Sequence, residues 1–306
     1  MTDRVLEAGA AATRPEPRAA RRAGTWRRLL RQPVAVTAGV ILVAVFVIGA
    51  IFPHIAPADA HTIHLSERWI NHPPMWSGWH FLGTDNLGRS TLTQTLYGLH
   101  TSEQSALLAT LIASLLGITL GGIAGYRGGW TDALIMRFGD MFGILPAIVL
   151  LLVAYTYFFP VTVGKATIIF ALYLWIPVAR VVRAEVASLR EREYVQAALS
   201  LGASGRRIFF RHLLPNGSST IIVAATSLLG QVVVLEATLD FFQIGIPSGV
   251  QVTLGNLIGE AQAGTFTVGL GWWTLVTPAA LLILILVCVN LFGDGLADAM
   301  RPTGRR

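Results

Sequence analysis

Pro33-Val-Ala-Val-Thr-Ala-Gly-Val-Ile-Leu-Val-Ala-Val-Phe-Val-Ile-Gly-Ala-Ile-Phe52 carries no charged side chain over 20 residues. A helix rises about 1.5 Å per residue, so a run of this length covers the roughly 30 Å hydrocarbon core of a bilayer. The run is too long, and too poor in small-residue cleavage sites, to be a secretory signal. Outward from it the same pattern recurs at Ser105 to Tyr126, Met141 to Phe159, Ala166 to about Val182, Gly217 to Leu235 and Trp273 to Leu291, which predicts six spans. Arg180 interrupts the fourth run, so its helix is expected to continue into the aqueous phase. Phe241 to Gly259 is uncharged but holds four glycines and Pro247, and reads as an outer loop or a short re-entrant segment. Composition agrees with a polytopic membrane protein: 53% of the 306 residues are hydrophobic and 13% charged, against about 25% charged in soluble domains.

Charge predicts the orientation. With the amino terminus inside, 20 of the 23 arginines and lysines fall on the inner side and only Arg68, Arg89 and Lys165 outside. That is the positive-inside pattern, and it places both termini in the cytoplasm. The net charge of +6 is then explained by topology and attraction to anionic headgroups of the membrane lipid, with no nucleic acid required. Residues 1–32 read as a cytoplasmic N-terminal segment, the first 20 or so disordered and Thr25 to Leu30 lying along the membrane surface. Residues 33–302 read as the transmembrane domain, with an outer loop at 53–104 and a cytoplasmic loop at 184–216, and 303–306 as a cytoplasmic tail. The single cysteine, Cys288, reads as a packing residue and permits no disulfide within the chain.

The inner loop contains Glu193-Tyr-Val-Gln-Ala-Ala-Leu-Ser-Leu-Gly-Ala-Ser-Gly-Arg-Arg-Ile-Phe-Phe-Arg-His-Leu-Leu-Pro-Asn216. It reads as two short helices meeting at a bend: Ala197, Ala198 and Leu201 form a small apolar face, Gly202 permits close approach or a left-handed bend, Ser204 can cap the second helix, and Pro215 closes it. The outer loop changes character at Leu82-Gly-Thr-Asp-Asn-Leu-Gly-Arg-Ser90. Beyond it Leu92, Thr95, Leu96 and Leu99 recur at helical spacing and feed an amphipathic helix into the second span.

The inner loop resembles the signature of membrane subunits of ATP-binding-cassette importers: Ala197-Ala198, Gly202 and Leu214-Pro215 match its Glu-Ala-Ala, three residues, Gly, then Leu-Pro. Gln196 stands at the first position of the triplet, with Glu193 three residues earlier, and His212 stands where the general motif has Ile. Gly83, Thr84, Asp85, Gly88 and Arg89 match the outer motif of the dipeptide, oligopeptide and nickel permeases, the "C" member of their permease pairs, with Ser90 in place of the usual Asp. Ala124–Asp132, Leu235–Gly245 and Leu291–Pro302 look like further segments of that family, so the resemblance covers roughly residues 28–302.

The resemblance implies an all-α permease of the type I ABC importer fold with six transmembrane helices, in a bacterial inner membrane. It implies a second homologous permease, two ABC ATPase subunits and an extracytoplasmic solute-binding protein as partners, and di- or oligopeptides, or else nickel or another small solute, as cargo. Within it, Glu193, Ala197, Ala198, Gly202, Ala203, Ile208, Leu214 and Pro215 would form the coupling element docked on an ATPase.

The chain itself is no enzyme on this reading. A phosphate-binding loop needs Gly-x-x-x-x-Gly-Lys-Ser/Thr, and the only lysine, Lys165, follows Gly164 but has Phe159 where the first glycine belongs. ATP and Mg would be held by partner subunits and no cofactor by this chain. Glu236 and Asp240, at the outer end of the fifth span, are candidates for the solute path, with a structural hydrogen bond the alternative for Glu236; Asp140 sits at the inner end of the third span. His61 and His64 have a spacing compatible with a shared metal, but without cysteine and with few carboxylates nearby no metal site is assigned. Trp272 and Trp273 read as interfacial anchors. A secondary transporter would show inverted repeats and ionisable residues at mid-membrane, and a membrane enzyme a convergent catalytic set; neither is visible.

Overall fold

The computed structural model describes residues 27–56, 70–75, 80–249, 251–267 and 271–300. Among the described residues five helices are long and apolar enough to cross a membrane: α1 (Pro33–Ile55), α2 (Thr91–Arg127), α5 (Val163–Arg190), α9 (Ser218–Phe241) and α11 (Trp272–Met300). Between α2 and α5 lie α3 (Gly129–Gly143) and α4 (Ala147–Tyr157). Next to α5 come α6 (Glu193–Ser200), α7 (Gly205–Ile208), a π-helical turn (Phe209–Leu213) and α8 (Leu214–Asn216). Ahead of α11 lies α10 (Leu254–Thr267). No strand occurs among the described residues.

The third expected span is not one straight helix. α3 and α4 bend by 84° across a break of three residues, and α4 has 11 residues, about 16 Å of helix. Pro146 at the N-cap of α4 accounts for the break, because its ring pushes Leu145 out of the helical region and it has no N–H to continue the ladder. The fourth span does run on, as 28 residues to Arg190. Ion pairs steady that extension: Arg180 donates to Asp140 at 2.6 Å, and Arg183 makes a two-pronged contact with Asp132, both carboxylates coming from α3. The segment read as a loop or re-entrant stretch leads into a 14-residue helix from Leu254, packed on α2, α9 and α11.

α2 is the axis of the bundle. Its 37 residues make about 55 Å of unbroken helix, starting in what the sequence places in the outer loop. The Ser90 hydroxyl accepts from Thr93 N at 3.3 Å and caps it. The most extensive helix–helix interface joins α2 to α5. Ala106, Ala109 and Ala113, all fully buried, then Gly117, Gly121 and Gly125 run along this face at helical spacing. A Cβ at Gly117 would meet Val178 Cβ at 2.6 Å, one at Gly121 would meet Ala179 Cα at 2.8 Å, and one at Gly125 would meet the Arg183 carbonyl at 2.6 Å. Lipid tails give no hydrophobic drive for helix association, so small residues that allow backbone contact supply the van der Waals energy.

Around this pair, α1 and α11 run antiparallel, with Gly39 under the Phe292 ring and Gly295 against Ala35. α1 reaches α2 through the Phe52–Tyr97 edge contact at 5.2 Å. The outer faces of these helices carry exposed apolar residues such as Val40, Val43, Leu111, Leu115 and Ile283, as expected for surfaces solvated by lipid.

The seam makes a prediction. Gly121→Val forces α2 away from the α5 backbone and should cost about 1–3 kcal/mol or more, seen as loss of the monodisperse detergent-solubilised protein. Gly164→Val, where a side chain meets nothing within 4 Å, should leave the elution profile unchanged.

Candidate functional site: the capped knob and the pinned turn

The segment from Glu193 to Asn216 folds as a knob at the arginine-rich end of the bundle. α6 ends in a left-handed glycine cap. Gly202 has φ +76°, Ala203 N donates to Ala198 O at 3.1 Å and Gly202 N to Leu199 O at 2.9 Å. These two bonds satisfy the last carbonyls of α6 and reverse the chain. Of the two roles open to Gly202, the bend is the one realised, since a Cβ there would meet nothing within 4 Å. Ser204 occupies the N-cap position of α7 but its hydroxyl makes no capping bond, contrary to the sequence expectation.

Nor does Pro215 close the second helix. The chain widens into a π turn over Phe209–Leu213, with Leu214 N donating to Phe209 O, and Pro215 sits in the first turn of α8. The wider turn suits a proline, which lacks an N–H for the carbonyl four residues back and would clash with it in a regular α-helix. The stop comes at Gly217, which lies under Glu185 with 2.9 Å between a built Cβ and Cγ.

Val195, Ile208 and Leu213 are fully buried and join the main core. Gly205 is pressed against the Tyr126 hydroxyl of α2, Gln196 Nε2 donates to Arg190 O at 2.9 Å, and Asn216 Nδ2 donates to the Tyr194 hydroxyl at 3.2 Å. Ala197 is exposed, Ala198, Ala203, Leu214 and Pro215 are half-buried, and Glu193 is exposed. Leu201 is 88% and Phe210 59% exposed. Two unsupported apolar side chains on a knob anchored by three buried ones form a surface suited to a protein groove. Leu201 and Phe210 were not singled out as docking residues by sequence.

At the opposite end the motif Gly83, Thr84, Asp85, Gly88 and Arg89 builds one tight turn. Asp85 Oδ1 accepts from Leu87 N and Arg89 N at 2.9 and 2.8 Å, and Oδ2 from Arg89 Nε at 2.7 Å. Gly83 and Gly88 have φ of +79° and +72°, which is why glycine stands there. Asn71 N donates to Asp85 O at 2.9 Å while its side chain accepts from Gly271 N at 2.8 Å. Trp273 Nε1 donates to Thr84 O at 3.0 Å. The turn is thereby pinned to the start of α11. Trp272 is 66% exposed, as an interfacial anchor would be, whereas Trp273 is a tie between loop and helix. Ser90 performs as a cap, which an Asp would also do.

Glu236 and Asp240 lie inside the bundle at 2% and 1% exposure. Asp240 Oδ1 accepts from Ile246 N at 2.8 Å and closes the turn after α9. Neither side chain forms part of an open surface of the chain in this conformation. Sequence reasoning overlooked a third buried carboxylate, Glu103, at 7% exposure in α2; the signal was the unbroken helical periodicity past Ser90. His61 and His64 lie outside the described residues, and among those described no cluster of three or more His, Cys, Asp or Glu could hold a metal.

The sequence model for the family described as "Binding-protein-dependent transport system inner membrane component" matches residues 117–306, and that for the "N-terminal TM domain of oligopeptide transport permease C" matches residues 22–74. The chain is 35% identical to the oligopeptide transport system permease protein OppC of Mycobacterium tuberculosis, over 94% of this chain and 96% of that one. It is 36% identical to the dipeptide transport system permease protein DppC of Bacillus subtilis, over 92% and 85%, and 32% identical to the glutathione transport system permease protein GsiD of Pectobacterium atrosepticum, over 90% and 89%. A solved structure of the MetNI methionine ABC transporter superposes with a TM-score of 0.49 at 20% identity, covering 67% of this chain and 97% of that chain.

The pinned turn makes a prediction of its own. Trp273→Phe deletes one hydrogen bond and should cost about 1 kcal/mol, read as a lower unfolding midpoint in detergent together with faster proteolysis near residue 85. Trp272→Phe should change neither.

Proposed function

The chain belongs to the family of binding-protein-dependent transport system inner membrane components, and on that premise we propose that it forms half of the membrane pore of an ATP-driven importer of di- or oligopeptides. The other half is a second, homologous permease. ATP and Mg are handled by two ATPase subunits, and an extracytoplasmic binding protein delivers the peptide. The named relatives carry peptide or glutathione transport in their names, which disfavours nickel as cargo.

The observation that carries this reading is the knob. Glu193, Ala197, Ala198, Gly202, Ala203, Ile208, Leu214 and Pro215 all belong to one compact unit, capped at Gly202, rooted through Val195, Ile208 and Leu213, and exposing Leu201 and Phe210. A partner that moves such a unit moves α2, α5 and α9 with it, because the knob touches Tyr126, Arg190 and Glu185 directly or through Gly217. ATP-driven closure of the ATPase pair would thus shift the helices between two arrangements around the peptide path. Arginine asymmetry supports a cytoplasmic knob and cytoplasmic termini, with the turn at 83–89 outside, on the side of the binding protein.

Two experiments test this. Gly202→Val places a β-branched side chain in the left-handed region at a cost of about 1–2 kcal/mol, so the variant should insert into the membrane yet lose most peptide-stimulated ATP hydrolysis in the reconstituted complex. Gly202→Asn, which tolerates that region, should keep it. Full stimulation with valine would sink the role of the knob. For topology, Ser204→Cys in a Cys288→Ala background should resist an impermeant thiol reagent in intact cells and react after permeabilisation; labelling of intact cells would reverse the orientation.

A further inference from the structure

Glu103 of α2 and Glu236 of α9 face the same small cavity in the centre of the bundle. The cavity has a volume of about 20 Å³ and is lined by Phe46 of α1, Leu99 and Ser102 of α2, Leu254 of α10 and Ile285 of α11. Glu103 is 7% and Glu236 2% exposed. Oε2 of Glu103 and Oε1 of Glu236 have no hydrogen-bond partner. The Glu103 carboxyl lies against Gly49 of α1, where a built Cβ would lie 2.7 Å from its Cδ. No basic side chain lines the cavity among the described residues.

Two carboxyls buried this fully are costly as bare anions. Protons or a bound cation must offset them, since no arginine or lysine lines the cavity among the described residues. The other titratable groups nearby are a histidine, an aspartate and a tyrosine. From α2, His100 is occupied by the Gly49 carbonyl and Gln104. From α9 and α4 the neighbours are Asp240 and Tyr155. The lining residues of α1, α10 and α11 are uncharged. The space holds about one water. That leaves no room for Mg²⁺ with its retained water shell.

We propose that Glu103 and Glu236 form a buried site for one small monovalent cation, a hydrated proton or Na⁺, which bridges α2 to α9. The Ser102 hydroxyl, which accepts from Leu254 N at 3.3 Å, and the Ser105 hydroxyl beside Glu236 offer further oxygens. Occupancy ties the helix that carries the α5 seam to the helix that follows the knob. The inference rests on packing and charge and holds whatever the cargo is.

The test is thermal unfolding of the full chain in nanodiscs, in two arms at constant ionic strength: NaCl exchanged for choline chloride at fixed pH, and pH lowered from 8 to 5.5 without Na⁺. A ligand bound only by the folded state stabilises it, so going from absence of the cation to a hundredfold excess over half-saturation should raise the midpoint by roughly 5 °C or more. A response in the first arm identifies Na⁺, and one in the second alone identifies the proton. Glu103→Gln/Glu236→Gln, which keeps shape and removes charge, should fold and lose that response. A wild-type midpoint flat in both arms would overturn the proposal, as would a response of equal size in the double variant. Should the double variant fail to fold, Glu236→Gln alone must cut the response at least by half, and an unchanged response would reject the site.

Discussion

Backbone contact between α2 and α5 is the constraint on which the rest of the structure depends. In lipid no hydrophobic gain drives two helices together, and close packing must hold them. Gly117, Gly121 and Gly125, four residues apart on one face of α2, bring it against the backbone of α5 near Trp175, Ala179 and Arg183. Every functional feature hangs from this pair. Ser90 and the turn at 83–89 start α2, Glu103 is carried on it, Tyr126 at its far end holds the knob, and α5 leads directly into that knob.

The two ends of the pair are built differently for a physical reason. At the turn, hydrogen bonds from Asp85, Asn71 and Trp273 fix a loop that has little apolar surface to bury. At the knob, three buried apolar residues root a unit whose exposed side is apolar at Leu201 and Phe210. A rigid element with an unsatisfied apolar surface fits a subunit driven by another polypeptide. A loop with its polar groups satisfied fits a rim that only has to keep its shape. Between them, Arg180–Asp140 and Arg183–Asp132 lash α3 to α5 beyond the apolar core, where solvent lowers the cost of charge.

Much of this was legible in the sequence because membrane spans announce themselves by the absence of charge. All five long helices coincide with predicted runs, and the extension of α5 past Arg180 follows from the same reading. The failures have definite causes. The run from Met141 to Phe159 belongs to a helix pair apolar enough to cross together, but the pair bends at Pro146, which a hydropathy argument does not register. Gly255 and Gly259 lowered helical propensity enough to hide α10, yet they let it pack on the backbone of Ala237 and Phe241. Gly202 announced the bend, but the π turn ahead of Pro215 needs the tertiary anchors Ile208 and Leu213. Glu103 was missed because the outer loop was drawn to 104, and Trp273 looked like a lipid anchor because its acceptor lies 189 residues away.

The central claim is that the knob and the α2–α5 pair move as one body. Spin labels at Ser204 in the knob and at Leu115, which is 55% exposed on α2, in a Cys288→Ala background would report the distance between them in the reconstituted complex. The account predicts one narrow distribution that stays in place when ATP is added, even as distances to the partner permease change. A broadened or shifted distribution on ATP binding would contradict it, because the knob would then swing on a hinge and transmit nothing through the seam.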